Sequence, residues 1–159
     1  MKTVLFLCTG NYYRSRFAEH FFNWHARQRN VGWTAESRGL ALDRSNPGPI
    51  SLHTVLRLRD LGIPLNGDTR RPLPVSREDF EAAHHVVAVK EIEHRPMIER
   101  RFPTWLERVE FWKVDDLDCA GPEEAFPHLE REVIGLMERL SGRFNDEARN
   151  PNDEGSTNA

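Results

Sequence analysis

Thr3 is followed by an unbroken apolar run, Val4-Leu5-Phe6-Leu7, that is partly β-branched and aromatic. At the head of an alternating chain such a run predicts a parallel strand buried on both faces. A polar loop follows over residues 9–14. From about Ser15 to Arg29 the spacing changes to threes and fours, with Phe17, Phe21, Trp24 and Gln28 in register, which predicts a helix. Trp33 to Ser37 reads as a second strand. Asn46-Pro47-Gly48-Pro49 is turn chemistry. A second helix is expected from about Ile50 to Leu61, with Val55, Leu58 and Leu61 on one face and Gly62 as its stop. Residues 66–74 are irregular, and Ser76 with Asp79 marks a capped short helix.

Val86 to Val89 predicts a third buried strand, Glu91 to Arg101 a helix ended by Pro103, and Val109 to Val114 a fourth strand. Pro122-Glu123-Glu124 opens the last helix with proline at its first position and acids in its first turn. Its apolar stripe is Phe126, Leu129, Val133, Met137, Leu140 and Phe144. After that the chain has no large apolar residue, so residues 1–144 are expected to form one domain and 145–159 a disordered polar tail. Strands alternating with helices predict an α/β fold with a parallel sheet covered on both faces.

Composition narrows the function little. The 159 residues carry a net charge of -3 with histidine neutral, which calls for neither nucleic acid nor membrane as a partner. No stretch is long enough to span a bilayer. Met1 to Cys8 faintly mimics a lipoprotein signal, but the apolar run is too short and Leu7 is a poor residue before a cleavage point. Two cysteines, Cys8 and Cys119, do not make a disulfide framework, so a reducing, cytoplasmic setting is expected. The seven histidines show no ligand spacing with acids or cysteines, and neither a metal nor a cofactor is expected.

The chemistry is concentrated in Cys8-Thr9-Gly10-Asn11-Tyr12-Tyr13-Arg14-Ser15. A cysteine and an arginine at this separation are weak evidence alone, because arginine supplies all but three of the 22 basic residues. Position strengthens them. Cys8 falls at the carboxyl end of the first strand, where open α/β sheets bind ligands. The loop runs straight into a helix N-terminus, so its amides and the helix dipole form a cradle for an anion. Gly10 is expected to allow the tight curl, and Asn11 to take a left-handed conformation and bond across the loop. Ser15 is placed to donate to the sulfur. The same donors that favour a thiolate suit the equatorial oxygens of a transferring phosphoryl group, and Arg14 can hold them bidentately. The competing reading is a small buried cysteine at a strand end beside a solvated arginine.

This run resembles the phosphate loop of the low-molecular-weight protein tyrosine phosphatases, and the resemblance extends to about residue 144. Ser37-Arg38-Gly39 is similar to the family's serine-alanine-glycine. Arg70, Glu78-Asp79-Phe80 and Val86-Val87-Ala88-Val89 resemble its approach to the third strand. Val114-Asp115-Asp116 resembles the turn that carries its general acid. The resemblance implies a three-layer αβα sandwich on a four-stranded parallel sheet in order 2-1-3-4. It also implies metal-free hydrolysis of a phosphorylated protein or small phosphomonoester through a phosphocysteine. Cys8, Arg14, Ser15 and Asp116 are then the catalytic residues, and Thr9, Gly10, Asn11, Tyr12 and Tyr13 line the substrate. Asp115 and Asp118 compete with Asp116 for the acid. The chain departs from the family at Tyr13 (a second cysteine), Arg16 (proline), Lys90 (aspartate), Leu117 (proline) and Asp118-Cys119 (the aromatic pair flanking phosphotyrosine). Tyr12 and Tyr13 supply a substitute aromatic wall or simply cap the loop. Arsenate reduction and a non-hydrolytic phosphocarrier are the alternatives. The first lacks a set of shuttling cysteines, and the second has no use for an acid opposite Cys8.

Overall fold

The computed structural model describes residues 1–67, 70–116 and 119–148, with the side chains of the last helix described to residue 142. Its order is β1 (Lys2–Cys8), α1 (Arg14–Arg29), β2 (Trp33–Gly39), α2 (Leu52–Asp60), α3 (Arg77–Ala82), β3 (His85–Ala88), α4 (Glu91–Arg101), β4 (Val109–Phe111) and α5 (Pro122–Ala148). The four strands form one parallel sheet in the order β2-β1-β3-β4, as the resemblance implied. Among the described residues no helix is long and apolar enough to cross a membrane.

The sheet splits the core into two layers. Val4, Phe6 and Cys8 of β1 pack with Phe17 and Phe22 of α1 and Leu129, Val133 and Met137 of α5. Leu5 and Leu7 face the other way, onto Phe80 of α3 and Ile98 of α4. This explains why the β1 run shows no polar alternation: both faces are covered. The expected stripe of α5 is buried from Phe126 through Leu140. α3 starts on the expected Ser76–Asp79 capping box. Gly62 takes φ 72°, the left-handed conformation that lets the Ile63 amide reach back to the Leu58 carbonyl and stop α2.

Some boundaries move. α2 begins at Leu52, because Pro49 and Ile50 belong to the turn wrapped over the loop after β1. β4 ends at Phe111, three residues before the expected end. The backbone beyond it stays tied to the sheet by Trp112 to Ala88 and Val114 to Val89 hydrogen bonds of 2.9 and 2.8 Å. Pro103 ends α4 but opens a short 3-10 turn, Pro103–Arg108, that the hydrophobic spacing does not suggest. α5 continues to Ala148, into the stretch expected as tail, while residues 149–159 lie outside the described residues.

Candidate active site

The site lies at the carboxyl edge of the sheet, where β1 hands over to α1. The loop between them is held from outside by its carbonyls. Leu40 N–H donates to the Cys8 carbonyl, Ala41 to Thr9, Ser51 to Tyr12 and Phe17 to Tyr13, at 2.8 to 3.0 Å. In a trans peptide the N–H points opposite the C=O, so the amides that follow these carbonyls point away from those partners.

Asn11 takes φ 51° and is fully buried, as its side-chain chemistry predicts. Its Nδ2 donates to Ser15 Oγ and to Ser37 Oγ, both at 2.9 Å. Its Oδ1 accepts from Arg70 Nη1 and the Leu73 amide, both at 3.0 Å. The Ser37 hydroxyl donates a hydrogen bond to Glu19 at 2.6 Å, and Arg70 bonds Glu19 as well at 3.1 Å. Ser15 Oγ lies 2.9 Å from Cys8 Sγ. Because Ser15 already accepts from Asn11, its proton is free to be donated to an ionised sulfur.

The expected role of Gly10 is not where the structure needs a glycine. A Cβ at Gly10 would meet only ordinary contacts, at 3.6 Å or more, and its φ is not positive. The crowded position is Gly39 at the end of β2. A Cβ there would come within 2.8 Å of the Thr9 carbonyl and 3.1 Å of Asn11 Cβ. The loop curls tightly because β2 approaches it bare, with Asn11 supplying the left-handed turn.

Arg14 is 2% exposed. Its Nη1 donates to the Val114 carbonyl at 3.1 Å, and its Nη2 to Glu93 Oε1 at 3.0 Å. Asp116 Oδ2 is 3.5 Å from the same Nη2. Burial works against the guanidinium charge, but the charges and bonds of Cys8, Glu93 and Asp116 outweigh it and keep Arg14 cationic. Arg16, where the family has proline, is also buried. It donates to the Pro49 and Arg70 carbonyls at 3.0 and 3.1 Å, strapping two loops onto α1.

Glu93 and His94 are functional neighbours that the sequence does not single out. The Lys90 amide donates to His94 Nδ1 at 3.1 Å, so the neutral ring carries its proton on Nε2, 3.0 Å from Thr9 Oγ1. Burial pushes His94 down from its ordinary value and keeps it neutral. Thr9 in turn donates to Glu93. Burial would raise the Glu93 carboxyl, but donors from His94, Arg14 and Thr9 hold it well below the usual carboxylate range. Thr9 therefore spends its hydroxyl on this chain of bonds. The sequence places Glu93 and His94 only within the expected helix from Glu91 to Arg101, and the reach of Glu93 across 79 positions to Arg14 leaves no mark along the chain.

Glu93→Gln keeps the shape but loses the charge. It should lower phosphatase activity about tenfold and stability at neutral pH by about 1–3 kcal/mol, the worth of hydrogen bonds to a charged group. A depressed carboxyl stabilises above its unfolded value, near 4.3, and the benefit is lost as pH falls through the folded value. The difference in denaturation midpoint between native and variant protein should therefore be full at pH 7 and shrink in acid.

Cys8, Tyr12, Arg14 and Asp116 line one cavity of about 280 Å³. Tyr12 forms part of its wall, pinned by a 2.5 Å bond from its hydroxyl to the Pro47 carbonyl. Tyr13 also lines it but packs inward on Phe126. Asp115 points elsewhere, into a 2.9 Å ion pair with Lys90 that holds its carboxyl below the ordinary value. The Lys90 departure from the family thus engages the neighbouring acid. Asp118 lies outside the described residues. Cys119 is exposed, with Lys90 Nζ 3.6 Å from its sulfur.

A strand-end thiol on a loop that runs into a helix N-terminus, with a buried arginine lining the same cavity, is the setting of an anion-binding nucleophile. Residues 3–145 match the model of the low molecular weight phosphotyrosine protein phosphatases, and the chain belongs to that family. It is a cysteine-dependent phosphatase. Among solved structures it is similar to a low molecular weight protein tyrosine phosphatase from T. tengcongensis. That match has 25% identity and a TM-score of 0.71, and covers 90% of this chain and 99% of that one. It is similar also to the YwlE arginine phosphatase from Geobacillus stearothermophilus, at 25% identity and a TM-score of 0.68, over 92% and 95%. Vibrio vulnificus Wzb, solved with benzylphosphonate, shares the fold at 14% identity and a TM-score of 0.69, over 89% and 98%. No curated protein matches the chain.

Proposed function

We propose that the protein hydrolyses phosphomonoesters of protein side chains, phosphotyrosine above all, through a phosphocysteine on Cys8. The observation that carries this reading is the convergence of Cys8, Arg14 and Asp116 on one cavity, with Asp116 3.5 Å from the arginine. Cys8 Sγ attacks phosphorus as the bond to the leaving oxygen breaks, and Asp116 gives that oxygen a proton. Arg14 and the loop amides bind the three equatorial oxygens as charge develops on them. Asp116, now a carboxylate, takes a proton from the water that attacks the phosphocysteine. The thiolate leaves with Ser15 donating to it, and Asn11 holds the loop in shape throughout. Gly10 and Tyr12 contribute the walls or amides that meet the substrate, and Tyr13 its backbone amide and ring, which a phenylalanine would keep. The reaction needs no cofactor, and its setting is the cytoplasm, in keeping with two free thiols.

Tyr12 favours an aromatic ester, since its ring stands in the cavity wall and the family's other aromatics are replaced. The similar arginine phosphatase makes phosphoarginine the necessary comparison. Purified protein should be offered phosphotyrosine, phosphoserine and phosphoarginine peptides, and arsenate with a dithiol reductant. Phosphate release fastest from phosphotyrosine is expected. Preference for phosphoarginine overturns the substrate and keeps the chemistry. Arsenate reduction without phosphate release overturns both.

A further inference from the structure

One buried hydroxyl on a residue of the cavity wall is without a partner among the described residues. Tyr13 is 6% exposed and lines the cavity, yet its Oη has no hydrogen-bond partner among the described residues. The rest of the residue is occupied. Its carbonyl accepts from the Phe17 amide and from Thr54 Oγ1, each at 3.0 Å. Its ring meets Phe126 edge-on with centroids 5.1 Å apart. A phenylalanine would fill the same space without stranding a buried donor, so the oxygen calls for a reason.

Among the described residues, the charged groups that act on the phenol are Asp116, Arg14 and Glu123. Burial first, then the Asp116 charge, with a smaller push from Glu123, raise it to about 12 against the opposing effect of Arg14. The hydroxyl therefore stays a donor at any working pH. Glu123 is exposed on the first turn of α5 and does not line the cavity, whereas Asp116 does.

We propose that Tyr13 is a positioning residue for Asp116, its hydroxyl donating to one carboxyl oxygen in the substrate-bound enzyme while the other oxygen faces the leaving group. Before substrate arrives, Asp116 leans on Arg14. A bound phosphoryl group takes a share of that guanidinium and loosens its hold on the carboxyl. The Tyr13 hydroxyl supplies a neutral donor that does not compete for the phosphoryl oxygens. This rests on Asp116 being the proton donor.

The test is Tyr13→Phe in the full chain, beside Asp116→Asn and the double variant. Tyr13→Phe should lower kcat about tenfold on a phosphotyrosine ester, within the range of one hydrogen bond to a charged group. KM, and kcat on p-nitrophenyl phosphate, should stay within about twofold on the same scale. Its melting temperature should be unchanged or higher, because a stranded donor has gone. In the double variant Tyr13→Phe should add almost nothing to Asp116→Asn. Equal loss on both esters, additive losses, unchanged kcat or a lowered melting temperature each overturn the proposal. If Asp116→Asn alone shows no leaving-group dependence, the assignment of the acid has failed and the inference falls with it. A dependent Asp116→Asn with an indifferent Tyr13→Phe sinks the inference alone.

Discussion

Cys8→Ser should abolish turnover of an aryl phosphate, with a loss on the order of 10⁴-fold or more, as for other enzymes that lose their nucleophile. The reason is chemical and not structural. The side chain is nearly isosteric and 3% exposed, and the groups that shape the loop belong to Asn11, Ser15, Ser37 and Arg70. A hydroxyl in that position is a far weaker nucleophile than a thiolate and a far worse leaving group in the second step. Inorganic phosphate should still bind within a fewfold of native strength, because Arg14 and the amides are unchanged. Competition kinetics on the native enzyme and calorimetry on the variant check the two halves. A variant that turns over at the native rate sinks the covalent mechanism, and one that no longer binds phosphate shows that the substitution damaged the cradle.

Asp116→Asn should produce the second largest loss, and a selective one. A poor leaving group departs only with a proton, whereas nitrophenolate leaves without one. The phosphotyrosine ester should lose about 10²–10⁴-fold in kcat/KM, or roughly 3–5 kcal/mol of barrier, and p-nitrophenyl phosphate much less. Asp115→Asn is the informative control. Its carboxylate is 2.9 Å from Lys90 Nζ and does not line the cavity. It should show no leaving-group dependence, and Asp118→Asn should behave alike. If Asp115→Asn carries the dependence instead, the acid is one residue away. If none of the three does, hydrolysis is not the native reaction.

Phosphate-loop proteins are built so that short-range signals are legible and long-range ones are not. Val4 to Leu7 announced a central strand because burial on both faces removes every polar position. Cys8 to Ser15 announced an anion cradle because a strand end, a loop and a helix start follow each other within a few residues. Asn11 was identified by its tolerance of a left-handed backbone, and it has one. The capping box at Ser76 and the proline-led start of α5 are equally local and appear where expected.

What could not be read is what the sheet brings together from far apart. Glu93 lies 79 positions from Arg14, and Arg70 59 positions from Asn11. Neither pair follows a helix or strand period, so no pattern along the chain marks it. The pairing of Lys90 with Asp115, which leaves Asp116 as the acid on the cavity, spans 25 positions and is likewise unmarked along the chain. Gly10 was expected to allow the tight curl because it stands inside the loop, but the crowding belongs to Gly39 on the neighbouring strand. The sequence by itself determined the layers of this fold, the central strand and the identity of the loop, because hydrophobic period and backbone preference act between near neighbours. Tertiary structure alone decided what pairs with Asp115, what holds Arg14 and which tyrosine hydroxyl is left over, because those depend on how β1, β2, β3 and β4 are ordered side by side.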